Sequence, residues 1–221
     1  MQILRSAPVL IILSMVFICI QFITPTVFTF SFDRAFNAKE PFTLSFVVVY
    51  SLTGLLLLPL LINRFIFKEP LQNFGLQLPT QWKKAVLLIA IGLLLLAPVS
   101  IFFAHQPSIQ VFYSLKNLSW ANLAFIFFLA LPPYYWAEEF FFRGFLFLRL
   151  WQKQGWHSYW ITEVIFTFAH LGKPPLEILF AFPAGLVLNY LTLHTKSIYP
   201  AMVVHFTLGI LVVVMTTFFV S

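Results

Sequence analysis

Residues 137–144 read Ala137-Glu138-Glu139-Phe140-Phe141-Phe142-Arg143-Gly144. This stretch places two adjacent carboxylates and a guanidinium inside a run that is otherwise apolar. Each such charge costs roughly 2.5–3.5 kcal/mol to place in lipid on insertion scales. A chain that keeps three of them together is therefore expected to use them.

The composition predicts an integral, multi-pass membrane protein. The chain has 221 residues, of which 61% are hydrophobic and 9% charged, and its mean hydropathy is +0.93. Soluble domains carry about 25% charged residues, so this chain cannot cover itself with a soluble surface. The net charge of +6 comes from basic residues in short loops between apolar runs. This pattern indicates membrane topology, and we expect no nucleic-acid partner.

The apolar runs predict the fold class, since a membrane-spanning helix needs about 20 apolar residues. Seven candidate spans cover residues 7–31, 43–63, 84–104, 119–136, 158–172, 175–193 and 197–219. A further apolar helix, 137–151, carries the two glutamates and the arginine. It either continues the fourth span after a break at Pro132-Pro133 or forms a span of its own. The predicted fold is all-α, a polytopic transmembrane bundle of seven or eight spans in a single membrane domain, 1–221.

Two histidines lie deep in other predicted spans. His170 follows Phe166-Thr167-Phe168-Ala169, and His205 follows Ala201-Met202-Val203-Val204. Ionisable groups inside a membrane face the bundle interior or a water-filled cavity. Because the glutamates and the two histidines are on three separate segments, a bundle can bring them together at one depth. We therefore predict one polar pocket that holds a glutamate and two histidines.

This set of side chains suits hydrolysis. A glutamate removed from bulk water can act as a general base on a water molecule near neutral pH. A histidine can orient that water or donate to the oxyanion of a tetrahedral intermediate. Arg143 follows Glu139 by four residues, so the two are expected to pair on one helix face. That pairing leaves Glu138 as the reactive carboxylate.

Other arrangements of these residues are also compatible with the sequence. The two glutamates could instead lie in water, at an interfacial helix end that follows Pro133. Each histidine could be a core or interfacial residue whose ring is bonded to a backbone carbonyl. Glu163 lies two helical turns before His170 on the same face; it could support His170, but an interfacial position is the stronger expectation. The chain has one aspartate, no Gly-x-Ser and no His-Glu-x-x-His, which excludes an aspartyl dyad, a rhomboid-like serine enzyme and a zincin.

With these residues identified, the chain resembles the CAAX protease and bacteriocin-processing family of intramembrane proteases, which includes the type II CAAX prenyl endopeptidases and the Abi proteins. The first family motif, Glu-Glu-x-x-x-Arg, is matched by Glu138, Glu139 and Arg143. The second, Phe-x-x-x-His, is matched by Phe166 and His170. The third, His-x-x-x-Asn or Asp, is matched only at its histidine, since Gly209 follows His205 where the amide or carboxylate belongs. The motif-bearing core covers about residues 119–209.

The resemblance implies a glutamate-dependent protease in which Glu138 and His170 activate water. His205 and the missing asparagine would hold the oxyanion, while Glu139 and Arg143 form a supporting pair. Asn189 and Thr207 are candidate replacements for the missing donor on composition alone. A His-His-Glu set could also hold zinc, but we expect no metal or other cofactor.

The predicted function is therefore an intramembrane endopeptidase. Its expected partners are membrane lipid and a peptide or protein substrate, including lipid-modified or membrane-anchored ones. An alternative is a catalytically impaired immunity-type or scaffold protein of the same family, which Gly209 favours slightly. A proton-coupled transporter is a third hypothesis, because buried Glu and His residues also form proton relays.

Overall fold

The computed structural model describes residues 48–116 and 118–220, together with Val9. The predicted first span, 7–31, therefore lies outside the described residues except for Val9. Every regular element of the described part is helical, which confirms the all-α fold class. The helices are α1 (Val48–Phe67), α2 (Trp82–Ala104), α3 (Pro107–Tyr113), α4 (120–154), α5 (His157–Phe168), α6 (Pro175–Thr195) and α7 (Tyr199–Phe219).

Four helices of the described part are long and apolar enough to cross a membrane: α1, α2, α6 and α7. They correspond to the predicted spans 43–63, 84–104, 175–193 and 197–219. The count of seven or eight spans is not confirmed. The predicted span 158–172 is a helix of only 12 residues, because the chain turns after Phe168, with Gly172 at φ 94° and Pro174 before the next helix. The single-domain assignment stays a prediction.

Helix α4 runs without a break through the proline pair. It consists of Trp120–Phe125, Ile126–Ala130, Leu131–Glu139, Phe140–Leu148 and Arg149–Gln154, and the residues at its joints keep right-handed helical angles. The second and fourth of these segments are π-helical. The predicted break at Pro132-Pro133 is therefore wrong, and the motif helix continues the fourth predicted span.

The motif segment of α4 lies at the centre of the bundle. All of the residues from Ala137 to Phe147 are buried. A short 3₁₀ turn, Leu71–Phe74, packs directly on Gly144, where a Cβ would overlap the Phe74 carbonyl oxygen. On the other side, α2, α6 and α7 share an apolar core. The glutamates are thus enclosed by helices that come from distant parts of the chain.

Candidate active site

Glu139 and Arg143 belong to a buried polar network. Arg143 Nε donates to Glu139 Oε2 at 3.1 Å, and Arg143 Nη1 donates to Glu163 Oε1 at 2.7 Å. Asn189 completes the network: its side-chain oxygen accepts from Arg143 Nη1 at 3.1 Å and its amide donates to Glu163 Oε1 at 2.5 Å. All four side chains are fully buried. The network ties α4, α5 and α6 together through one guanidinium.

Glu163 is a member of this network, so its expected interfacial position is wrong. It faces inward because Arg143 offers it a charged partner, and because Gly185 on α6 leaves room for its carboxylate. A Cβ at Gly185 would overlap that carboxylate. The seven-residue spacing before His170 pointed to Glu163, but the sequence did not reveal the guanidinium and the glycine that hold it.

The Phe166 ring separates the functional groups. Its centroid lies 4.5 Å from the His170 ring, 5.9 Å from the His205 ring and 4.4 Å from the Arg143 guanidinium carbon. Phe166 is itself 1% exposed. One aromatic ring therefore fixes the spacing between the two imidazoles and covers the inner side of the ion pair.

The hydrogen bonds of the histidines indicate what their second nitrogens can do. His170 Nδ1 lies 2.8 Å from the Phe166 carbonyl oxygen, which can only accept, so Nδ1 carries the proton. In the neutral ring, Nε2 of His170 is then a hydrogen-bond acceptor. His205 Nδ1 lies 2.7 Å from Glu139 Oε1. A carboxylate oxygen accepts here, so Nδ1 of His205 is the donor.

The charged side chains of this cluster contact one another. Arg143 contacts both Glu139 and Glu163, and His205 contacts the second carboxylate oxygen of Glu139. Buried charges are tolerated when they are paired and hydrogen-bonded. The network therefore fixes the position of His205 on α7 relative to α4.

Glu138 is not a member of this hydrogen-bonded network among the described residues. It is 5% exposed, and no hydrogen bond joins its carboxylate to another described residue. The charged groups that act on it most strongly are His205 and Lys173, followed by Glu139 and Arg143. Glu138 thus differs from Glu139: one carboxylate is fully engaged by protein groups, and the other is available to water or substrate.

A pocket opens at the two histidines. Its walls come from α2 to α7 and are mostly apolar. Its lining consists of Ser100, Phe103, Ile109, Tyr113, Tyr135, Phe166, His170, Lys173, Glu177, Phe180, Ala181, Ala184, Leu188, His205, Leu208, Gly209 and Val212. The structure thus brings His170 and His205 to one cavity. Glu138 interacts electrostatically with two lining residues, His205 and Lys173, but is not itself part of this lining.

A second polar group closes the pocket on the α3 side. Tyr113 donates to Glu177 at 2.6 Å, and Lys173 Nζ lies 2.9 Å from the same carboxylate. Burial and the neighbouring Glu177 carboxylate raise the pKa of Tyr113 well above its usual value. The Tyr113 hydroxyl therefore stays a donor, and Glu177 is held by two fixed partners.

The two candidate replacements for the missing oxyanion donor do not reach the pocket. Asn189 is committed to Glu163 and Arg143, and Thr207 donates to the Val203 carbonyl at 2.7 Å from an exposed position. The Tyr135 hydroxyl lies against Gly209 instead: a Cβ at Gly209 would overlap the hydroxyl and lie 2.6 Å from Cζ. A single sequence gives no signal for this contact between α4 and α7.

One known protein family has a model that matches part of this chain. Residues 116–211 match the family model described as type II CAAX prenyl endopeptidase Rce1-like. This segment is similar to that family. The match covers just under half of the chain, contains all the motif residues and confirms the resemblance drawn from them. The family description is that of a prenyl endopeptidase. Neither the curated proteins nor the solved structures include a match.

The described residues do not form a metal-ligand set. No group of three or more His, Cys, Asp or Glu side chains among them has a geometry suited to one ion. Glu139, the nearest carboxylate to His205, already bonds both His205 and Arg143. His170, His205 and Glu138 would have to move before they could bind one zinc ion, because their positions in the structure do not surround a common point.

Proposed function

We propose that the protein is a glutamate-dependent intramembrane endopeptidase that cleaves membrane-associated peptides. One observation carries the proposal: two imidazoles from separate elements line one pocket with mostly apolar walls. The motif helix α4 also lines this pocket, and its Glu138 carboxylate has no hydrogen bond to another described residue. The family match supports the reaction class. Prenylated peptide tails are the substrate class that the family description suggests.

In the proposed reaction, Glu138 accepts a proton from a water molecule whose oxygen attacks the carbonyl carbon of the scissile bond. His170 Nε2 is an acceptor in the neutral ring; it accepts a hydrogen bond from the same water and orients it toward the carbonyl carbon. The carbonyl oxygen becomes negative and receives a hydrogen bond from His205 Nε2. When the tetrahedral intermediate collapses, the proton on Glu138 passes to the leaving amine.

The Glu139–Arg143 pair supports this chemistry without taking part in it. Glu139 accepts from His205 Nδ1, which sets the direction of the imidazole. In the proposed scheme the ring carries a second proton on Nε2, which it donates to the oxyanion. Arg143 compensates the Glu139 charge, so that Glu138 keeps its role as the base. The two adjacent glutamates therefore have different tasks, because they point about 100° apart on the helix.

The assignment of Glu138 and His170 is tested by cleavage in liposomes. Purified protein is mixed with a panel of membrane-anchored peptides that includes farnesylated CAAX peptides, and products are identified by mass spectrometry. We expect Glu138→Gln and His170→Gln each to reduce cleavage by about 10²–10⁴-fold. His157→Gln, an exposed control on α5, should leave the rate unchanged. Normal cleavage by the Glu138→Gln protein would reject the mechanism.

The same assay tests metal dependence. We propose that no metal takes part, so the rate should be the same before and after dialysis against EDTA. Loss of cleavage on dialysis, with recovery on addition of zinc alone, would replace the glutamate-dependent scheme by a zinc-dependent one.

Gly209 supports a second candidate, a scaffold that keeps the pocket but lacks turnover. Under this alternative the protein binds a membrane-anchored peptide and leaves it intact. Unchanged peptides in the liposome assay, together with equal binding by the Glu138→Gln protein, would favour the scaffold.

A further inference from the structure

We propose that the Tyr135 hydroxyl supplies the oxyanion hydrogen bond that the third motif lacks at Gly209. This inference rests on the proposed function, because it assigns one more group to the same reaction. Tyr135 matches none of the motifs, and its position one turn before Glu138 on α4 gives no sign of a role by itself.

The first argument is the space at Gly209. A Cβ added there would overlap the Tyr135 hydroxyl and lie 2.6 Å from Cζ and 3.2 Å from Cε2. The tyrosine therefore fills the volume that a side chain at position 209 would need. A longer side chain at this position and a tyrosine at 135 exclude each other, so the glycine and the tyrosine form a complementary pair.

The second argument is the position of the Tyr135 ring. It packs edge-on against the His205 imidazole, with centroids 4.7 Å apart and planes at 74°. Tyr135, His205 and Gly209 all line the pocket. Tyr135 also precedes Glu138 by three residues, so the two side chains are neighbours on one helix face. The tyrosine ring thus contacts the proposed oxyanion donor, its hydroxyl lies at Gly209 in the same pocket, and its helix carries the proposed base.

The third argument is that the Tyr135 hydroxyl can donate a hydrogen bond into the pocket. No hydrogen bond joins the Tyr135 hydroxyl to another described residue, whereas Tyr113, the other tyrosine of the pocket, is bound to Glu177. A partly buried hydroxyl that faces a pocket is completed by water or by a bound ligand. A carbonyl oxygen that becomes negative is the partner that would gain most from it, since hydrogen bonds to charged acceptors are the stronger ones.

The first test separates turnover from substrate binding. We expect Tyr135→Phe to lower kcat by about 10²–10³-fold, the loss seen when one oxyanion donor is removed, with KM changed by less than about threefold. Tyr113→Phe is the matched control, because it removes a hydroxyl from the same pocket on the other side; its kcat should fall by less than about tenfold. Equal kcat values for Tyr135→Phe and the unsubstituted protein would overturn the inference.

The second test exchanges the two positions. Gly209→Asn alone should lower kcat, because its side chain collides with the tyrosine, and Tyr135→Ala alone should lower kcat by about 10²–10³-fold because the donor is lost. The double variant Tyr135→Ala/Gly209→Asn has both the space and a new donor, so it should recover at least tenfold over Tyr135→Ala. No recovery in a double variant that folds as well as the parent would count against the exchange of roles.

The third test does not depend on turnover. A farnesylated peptide phosphinate carries a tetrahedral centre with a negative oxygen, and the matching hydroxyethylene peptide carries a neutral one. We expect Tyr135→Phe to weaken phosphinate binding by roughly 10–10²-fold and hydroxyethylene binding by less than threefold. Equal phosphinate affinity in the two proteins, including no measurable affinity in either, overturns the inference. Failure of the proposed function is distinct: the peptides then stay uncut while the selective loss of phosphinate binding remains.

Discussion

At the scale of single residues, Arg143 stabilises the site because it is the one cation shared by Glu139 and Glu163. Arg143→Met removes that cation and leaves two buried carboxylates without their charged partner. Breaking a buried ion pair in this way costs about 3–5 kcal/mol. We therefore expect the free energy of unfolding, measured by denaturant titration in bicelles, to fall by that amount.

Lys153→Met is the matched control for this prediction, since it removes an exposed cation from the same helix. Exposed substitutions of this kind change stability by less than about 0.5 kcal/mol. Equal stability of the two variants would mean that the Arg143 pairs contribute nothing to the folded state.

The pairing of Glu139 with Arg143 could be predicted from the sequence, because residues four apart on a helix are neighbours. The partners that come from other helices could not. The sequence makes Asn189 a candidate for the oxyanion site and predicts Glu163 at the membrane–water interface. In the structure both side chains bind Arg143 in the interior. Helical spacing fixes the face of a residue on its own helix, but only packing decides which helix that face meets.

At the scale of whole elements, Gly185 sets how closely α6 approaches the Glu163 carboxylate on α5. Gly185→Ala would place a methyl group on that carboxylate, which Arg143 and Asn189 hold in position. The variant must push Glu163 out of its ion pair. We expect the free energy of unfolding to fall by about 3–5 kcal/mol, because the pair breaks.

The control is Gly92→Ala on α2, another buried glycine inside a helix. Its added Cβ would meet Leu191 and Val204 methyl carbons at 3.4 Å, an ordinary packing distance. Alanine favours a helix over glycine by about 1 kcal/mol, so this variant should be as stable as the parent or slightly more so. A Gly185→Ala protein that matches Gly92→Ala in bicelle denaturation would contradict the role given to Gly185.

Hydropathy predicted the four long apolar helices well, because their length is fixed by the thickness of the membrane. It failed at the prolines of α4. Pro132 and Pro133 lack backbone donors, which usually ends a helix. Here a π-helical segment, Ile126–Ala130, precedes them and changes the hydrogen-bond register, so the helix continues. Such a local change in register leaves no mark in the periodicity of apolar residues.

At the scale of the whole molecule, the position of α4 determines how deep in the membrane the two glutamates lie. At about 1.5 Å per residue, Glu138 is roughly 25 Å from either end of the 120–154 helix. The hydrocarbon layer is about 30 Å thick. If α4 crosses the membrane, the glutamates lie well inside the lipid, where a substrate must approach laterally and water must enter through the pocket.

Cysteine labelling tests this arrangement in a Cys19→Ser background, since Cys19 is the one native cysteine. We expect Ser119→Cys and Gln154→Cys to react with a membrane-impermeant maleimide from opposite sides of sealed vesicles, because both positions are exposed at the ends of α4. Gln81→Cys and His105→Cys flank α2, the most apolar span, and serve as the control for crossing. Labelling of both α4 ends from one side would place the glutamates near the membrane surface. Hydrolysis would then need no buried water, and the pocket would open directly to bulk solvent.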